Sequence, residues 1–167
     1  LVLRAPWLSE GYYNEPQKGA ELWAGGWMHT GDVATLDAFG VIDIRDRIKD
    51  VIKTGGEWIS SLALEDLVSR HPAVREVAVV GIADPQWGER PFALLVVHDG
   101  HMIGARELKE HLKPFVELGH LSKWAIPSQI AVVTEIPKTS VGKLDKKRIR
   151  IDIIEWQANN STFLSTL

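Results

Sequence analysis

The sequence runs to 167 residues, 45% hydrophobic and 25% charged, with 19 Lys and Arg against 22 Asp and Glu for a formal charge of −3. These globular proportions exclude wholesale disorder. Cysteine is absent, which excludes a disulfide framework, a thiolate zinc site and a cysteine nucleophile.

No apolar run approaches the roughly 18 residues that a membrane-spanning helix needs. The chain opens on Leu1-Val2-Leu3-Arg4-Ala5-Pro6-Trp7, with neither an initiator Met nor a signal-peptide layout. It reads as the middle of an open reading frame, so a fragment is expected. Residues 1–33 are rich in Gly, Pro and Trp, and Tyr12 to Pro16 and Gly25-Gly26 are turn and loop signals. Val33 to Ile44 reads as a hairpin about Asp37-Ala38-Phe39-Gly40. Lys49 to Thr54 predicts a short strand or turn before Gly55-Gly56.

Ser60 or Ser61 suits a helix cap, followed by apolar Leu64, Leu67 and Val68 on one side. That helix is expected to end near His71-Pro72. Val74 to Ile82 and Pro91 to His98 predict strands, the second in a near-continuous apolar run typical of burial on both faces. Gly104 to about Glu117 predicts an amphipathic helix, Pro127 to Val133 a third strand, and Leu144 to about Trp156 a closing helix. The pattern predicts an α+β fold, a small mixed sheet with packed helices. Residues 47–167 would form this domain, and residues 1–46 the β-rich end of another.

The charge is uneven. Lys138, Lys143, Lys146, Lys147, Arg148 and Arg150 against Asp145 give a local charge of +5, leaving −8 for the remainder. This suggests a local anion site; a solvated, Lys-rich helix start explains the same residues.

Four constellations could carry chemistry. Asp32, in His29-Thr30-Gly31-Asp32, could offer two oxygens to a vicinal diol, or could simply cap a turn. Arg47, in Asp46-Arg47-Ile48-Lys49-Asp50, has the fork to hold phosphate or ribose oxygens, though alternating charge also suits a surface linker. Gly55-Gly56-Glu57-Trp58 permits positive φ and close backbone approach to a ligand, or makes a plain turn. Pro137 to Lys143 puts a Lys on a glycine-containing loop. It is no nucleotide-binding P-loop, since the residue at 137 is Pro and Leu144 follows the Lys. His98 and His101 lack a third zinc ligand nearby, and no G-x-S-x-G elbow occurs.

In this order and spacing the four segments resemble the adenylate-forming superfamily: acyl-CoA synthetases, adenylation domains of peptide synthetases, and luciferases. Gly11 to Pro16 and Trp87-Gly88-Glu89 are also similar to that family. The resemblance covers nearly the whole chain and looks most like a fatty-acyl-CoA ligase. It implies that a carboxylate attacks the α-phosphate of ATP and that coenzyme A then displaces AMP. It implies that the C-terminal domain rotates between the two steps.

By the same resemblance, Asp32 would hold the ribose hydroxyls and Arg47 the ribose or phosphate. Lys143 would bridge carboxylate and α-phosphate, and Lys49 would sit at the hinge. Gly55, Gly56, Glu57 and Trp58 would line the pantetheine tunnel. ATP, Mg2+ and coenzyme A are implied for the whole enzyme, with no metal site in this piece. The implied partners are the fatty acid and the chain's own N-terminal domain, without nucleic acid or a membrane span. The implied location is cytoplasmic, at most peripheral to a membrane. The family's phosphate loop, adenine pocket and acyl pocket do not occur here, so this piece is expected to be inert alone. The alternatives are a ligase for aryl or short-chain acids, and a non-catalytic anion- or RNA-binding module using residues 138–150.

Overall fold

The computed structural model describes residues 1–158 and 164–166. The chain divides into two compact units, Leu1–Lys49 and a second that begins at Asp50.

In the first unit, β1 (Val2–Leu3) pairs antiparallel with β2 (Met28–His29), and α1 spans Pro16–Leu22 between them. Tyr12 to Glu15 form the expected turn, and a helix that the sequence pattern does not predict starts at Pro16, because a Pro at the first helical position gives up an N–H that has no partner anyway. The expected hairpin forms from β3 (Asp32–Leu36) and β4 (Ile42–Arg47), with a bulge between Val33 and Ala34. Its turn is closed by Asp37, whose Oδ1 accepts from the Phe39 and Val41 N–H groups at 2.8 Å each.

The second unit starts with a tight hairpin, β5 (Ile52–Thr54) and β6 (Glu57–Ile59). Gly55 and Gly56 fill the two turn positions at φ +57° and +85°. Two successive positive φ values match the right-handed twist of the flanking strands, and Gly adopts them without a Cβ penalty. The sequence reading missed β6, because a three-residue strand beside a Gly pair carries too little pattern. Ser60 then caps α2 (Ser61–Ser69), its Oγ accepting the Ala63 N–H at 3.0 Å.

Strands β7 (Val74–Asp84) and β8 (Gly88–Val97) form the long antiparallel ribbon of the sheet. Both run further than the apolar pattern predicted. Asp84 Oδ1 accepts from the Gln86 and Trp87 N–H groups, so the ribbon continues to a side-chain-closed turn. Helix α3 (Ala105–Glu117) and strand β9 (Gln129–Val132) follow, with β9 parallel to β8. Helix α4 (Lys146–Ala158) and β10 (Leu164–Thr166), antiparallel to β9, complete the unit. The helix begins two residues after the predicted start, because Asp145 caps it. The Asp145 carboxylate accepts the Arg148 N–H at 3.0 Å, and its carbonyl accepts the Ile149 N–H at 3.0 Å.

Both faces of the sheet are buried, and period-2 alternation sorts the side chains. Val77, Val79, Ala93, Leu95 and Ile130 face Leu64, Val68, Leu108 and Leu112 of α2 and α3. Ala78, Val80, Phe92, Leu94 and Ala131 face Ile149 and Ile153 of α4. The unit is therefore three-layered, a mixed sheet between α2 with α3 and α4, in agreement with the expected α+β class.

Candidate functional site

In the first unit, Asp32 and Arg47 are register partners across the β3–β4 hairpin. Arg47 Nε lies 3.4 Å from Asp32 Oδ1, and one terminal nitrogen donates to the Thr30 carbonyl at 3.5 Å. The Asp32 N–H donates to Thr30 Oγ1 at 3.1 Å, and the Arg47 N–H donates to the buried Asp46 carboxylate at 2.7 Å. Asp32 is half-buried and Arg47 exposed, so a fixed carboxylate and a largely solvated guanidinium stand side by side. Lys49, also exposed, ends this unit.

In the second unit, the Gly55–Trp58 segment is the tip of the β5–β6 hairpin. It rests on the turn between β7 and β8: the Gly55 N–H donates to the Trp87 carbonyl at 2.9 Å, and a Cβ on Gly55 would lie 3.1 Å from Trp87 Cε3. The Lys53 N–H donates to Glu89 Oε2 at 2.8 Å. Trp87 in turn packs against Trp124, with ring centroids 4.7 Å apart and the planes tilted by 39°. Ser122 Oγ donates to Glu57 Oε2 and thereby ties the tip to the turn that precedes β9. Trp58 is 63% exposed, with the Lys53 ammonium 5.3 Å from its ring centroid. An indole left in solvent on a glycine hairpin is an available apolar wall. The sequence reading noted Trp87-Gly88-Glu89 only as a likeness; the fold makes it the support of the Gly55–Trp58 tip.

Lys143 lies on a closed loop. Lys138 and Leu144 form a β-bridge. The Thr139 N–H donates to the Lys143 carbonyl at 2.7 Å, and the Lys143 N–H donates to Thr139 Oγ1 at 3.2 Å. Gly142, at φ +78°, makes the reversal. The Lys143 side chain is exposed and has no ion-pair partner among the described residues.

The rest of the basic stretch is different. Lys138 pairs with Glu76 at 2.9 Å, Lys146 with Glu65 at 2.7 Å, Arg148 with Asp152 at 2.7 Å and Arg150 with Asp50 at 2.9 Å. Four of the six cations in the stretch sit on carboxylates from α2, β7, α4 and the start of the unit, yet Lys138, Lys143, Lys147 and Arg148 are exposed, so the stretch is a solvated face from which Lys146 and Arg150 turn inward. The pairing of Lys146 with Glu65 and of Arg150 with Asp50 carried no sequence signal, because the partners are distant in the chain.

A cavity of about 710 Å³, lined by Arg75, His98, His101, Thr134 and Trp156 among others, holds none of the expected site residues. Among the described residues, no group of three His, Asp or Glu side chains could hold a metal ion, and no helix is long and apolar enough to cross a membrane.

Comparison with known proteins gives a consistent result. The family model described as AMP-binding enzyme C-terminal domain matches residues 63–143. The chain is 45% identical over 151 residues to a long-chain-fatty-acid–CoA ligase of Thermus thermophilus, spanning 90% of this chain and 27% of that protein. It is 40% identical over 150 residues to 3-methylmercaptopropionyl-CoA ligase of Ruegeria lacuscaerulensis, spanning 90% of this chain and 26% of that one. The chain thus spans about a quarter of the length of these curated relatives.

Among solved structures, it superposes on the amide bond synthetase McbA of Marinactinospora thermotolerans with a TM-score of 0.79, at 34% identity over 91% of this chain and 30% of the other. It also superposes on the anthranilate CoA ligase AuaEII, in complex with anthranoyl-AMP, with a TM-score of 0.81 at 29% identity, covering 94% of this chain and 29% of the other. The sandwich of α2, α3 and α4 about the mixed sheet is thus the AMP-binding enzyme C-terminal domain, and the chain belongs to the adenylate-forming superfamily.

Proposed function

We propose that this chain is the C-terminal part of a fatty-acid–CoA ligase, which joins a carboxylate to coenzyme A through an acyl-adenylate. The observation that carries the reading is Lys143, an exposed ammonium on a closed loop in a stretch where most other cations are paired. The Thermus long-chain ligase, at 45% identity, supports fatty acids as the acid class.

On this reading a carboxylate oxygen attacks the α-phosphorus of ATP and pyrophosphate leaves. Negative charge gathers on the phosphate oxygens as the bond forms, and a placed cation offsets it. Lys143 is that cation. Asp32 accepts hydrogen bonds from the ribose hydroxyls, and Arg47 donates to the ribose or phosphate beside it. The domain then turns about Lys49. The coenzyme A sulfur attacks the acyl carbon, AMP leaves, and Gly55, Gly56, Glu57 and Trp58 line the channel for the pantetheine arm. Mg2+ arrives with ATP, and its ligands belong to the larger N-terminal domain, the partner of this piece.

The test is pyrophosphate exchange by the full-length enzyme over a ladder of carboxylic acids, with Lys143→Ala as control. Exchange that peaks at a fatty acid and is lost in Lys143→Ala supports the reading. A peak at an aryl or short-chain acid keeps the ligase and replaces its substrate class. No exchange with any acid overturns the reading. Lys143→Ala should still pass a supplied acyl-adenylate to coenzyme A, and equal loss in both steps overturns its assigned role.

A further inference from the structure

We infer that Lys146 is a positioning residue, whose buried ammonium, held by Glu65 and Ser61, fixes the Lys143 loop against α2. The inference rests on the reading in which Lys143 acts in adenylation.

Lys146 is the first residue of α4 and is 9% exposed. Its Nζ lies 2.7 Å from Glu65 Oε1 and donates to Ser61 Oγ at 2.7 Å. Glu65 Oε1 also accepts the Val79 N–H at 2.7 Å, so α4, α2 and β7 meet at one carboxylate. The position is electrostatically unfavourable for a cation: a helix N-terminus carries positive partial charge, and burial removes the hydration of the ammonium. An apolar side chain would avoid both costs. What the ammonium supplies is direction, since its protons point at fixed acceptors and hold the first turn of α4, which Asp145 caps, against α2.

That placement is passed to the Lys143 loop through the backbone. Lys146 follows Lys143 by three residues. Between them, Leu144 bridges Lys138 and the Asp145 N–H donates to the Pro137 carbonyl at 2.9 Å, so both ends of the loop close just before the pinned residue. Beyond this base the loop residues 139–143 are exposed or half-exposed, and packing does not hold them. Helix α2 does not depend on Lys146 in the same way, because Leu64, Leu67 and Val68 anchor it in the core. Loss of the ammonium therefore loosens the α4 side of the Lys143 loop, whose other side stays tied by Lys138 to Glu76 of β7, and leaves the Gly55–Trp58 hairpin in place.

The test uses the full-length enzyme with Lys146→Met, Lys146→Arg and Glu65→Gln. Amide hydrogen exchange over 138–145 is expected to rise about tenfold or more in Lys146→Met, while that of 55–58 stays within about twofold. Adenylation kcat is expected to fall about tenfold or more with the KM for ATP nearly unchanged, since small misplacements of a catalytic group cost rates of that order. Reaction of a supplied acyl-adenylate with coenzyme A should stay within about twofold of wild type, because only the loop is released. Lys146→Arg should restore most of both losses.

Unchanged exchange over 138–145 in Lys146→Met overturns the inference whatever the activity. So does an equal fall in both half-reactions that Lys146→Arg does not rescue, which would mark a role in stability alone. Should Lys146→Met fail to fold, Glu65→Gln gives the same measurement, because Gln keeps an acceptor for Val79 and removes the charge. A wild-type enzyme with no pyrophosphate exchange would sink the ligase reading, and the amide exchange would still decide the clamp.

Discussion

Arg150 on α4 donates to the Asp50 carboxylate at 2.9 Å across one hundred positions of sequence, and Asp50 is the residue directly after Lys49. The pair joins the closing helix to the first residue of its unit. The Asp50 side chain is 9% exposed, so water cannot readily replace the guanidinium. Arg150→Met should therefore cost about 2 kcal/mol, the order expected when a charge-assisted hydrogen bond is lost from a nearly buried carboxylate. Adding Asp50→Asn should cost less than the sum of the two single changes. Denaturant midpoints of the four variants check both statements. A loss in Arg150→Met within experimental error would show that solvent serves Asp50 as well.

Lys49 bears on the proposed rotation. Lys49→Pro fixes φ near −65°. If the two half-reactions need two settings of this residue's dihedrals, the variant should adenylate its acid at a near-normal rate and transfer the acyl group to coenzyme A poorly. Stopped-flow measurement of each step separates them. Both steps unchanged would remove Lys49 from the hinge role.

A side chain at Gly55 would be strained. Its φ of +57° and the 3.1 Å approach of Trp87 Cε3 to a built Cβ oppose Gly55→Ala together. The backbone contribution alone is roughly 1–2 kcal/mol for an L-residue in this region. The variant should lower the melting temperature and, on the proposed reading, slow the coenzyme A step more than adenylation. Single-turnover assays compare the two. Selective slowing of adenylation would assign the hairpin to the other step.

His71 makes stability depend on pH. Burial holds its pKa below the ordinary 6.5, and the neighbouring His111 lowers it further, against the opposing pull of Glu107. The His71 Nδ1 accepts the Ala73 N–H at 3.1 Å, and the His111 ring lies 4.9 Å away, edge-on. The unfolded chain therefore takes up this proton at a higher pH than the folded chain does. Stability is full above 6.5 and is lost as pH falls from there through the lowered folded value. The melting temperature should drop more for wild type than for His71→Gln between about pH 7 and about pH 5.5, the window in which a depressed His titrates. Parallel curves would remove His71 as the source.

Much of the second unit was legible because its signals are local. Val74 to Ile82 and Pro91 to His98 are apolar runs that a doubly covered sheet demands, and Ser60 is a cap that local geometry alone explains. The loop character of Lys143 was legible for the same reason, since Gly142 and the polar residues around it leave few other conformations. Strand β6 was not legible, because a three-residue strand beside a glycine pair carries too little pattern, whereas the start of α4 was open to the same cap rule as Ser60, with Asp145 as the cap.

The order of apolar and polar residues is enough to say which side chains share a face, because side-chain period follows from backbone geometry. The pairing of the basic stretch needs the folded chain. Lys138, Lys143, Lys146 and Arg150 look alike in the chain, yet folding gives Glu76 to the first, Glu65 to the third and Asp50 to the fourth. Each partner lies more than sixty positions away. Which carboxylate each cation meets is a matter of distance in space, and electrostatic energy depends on that distance, not on separation along the chain.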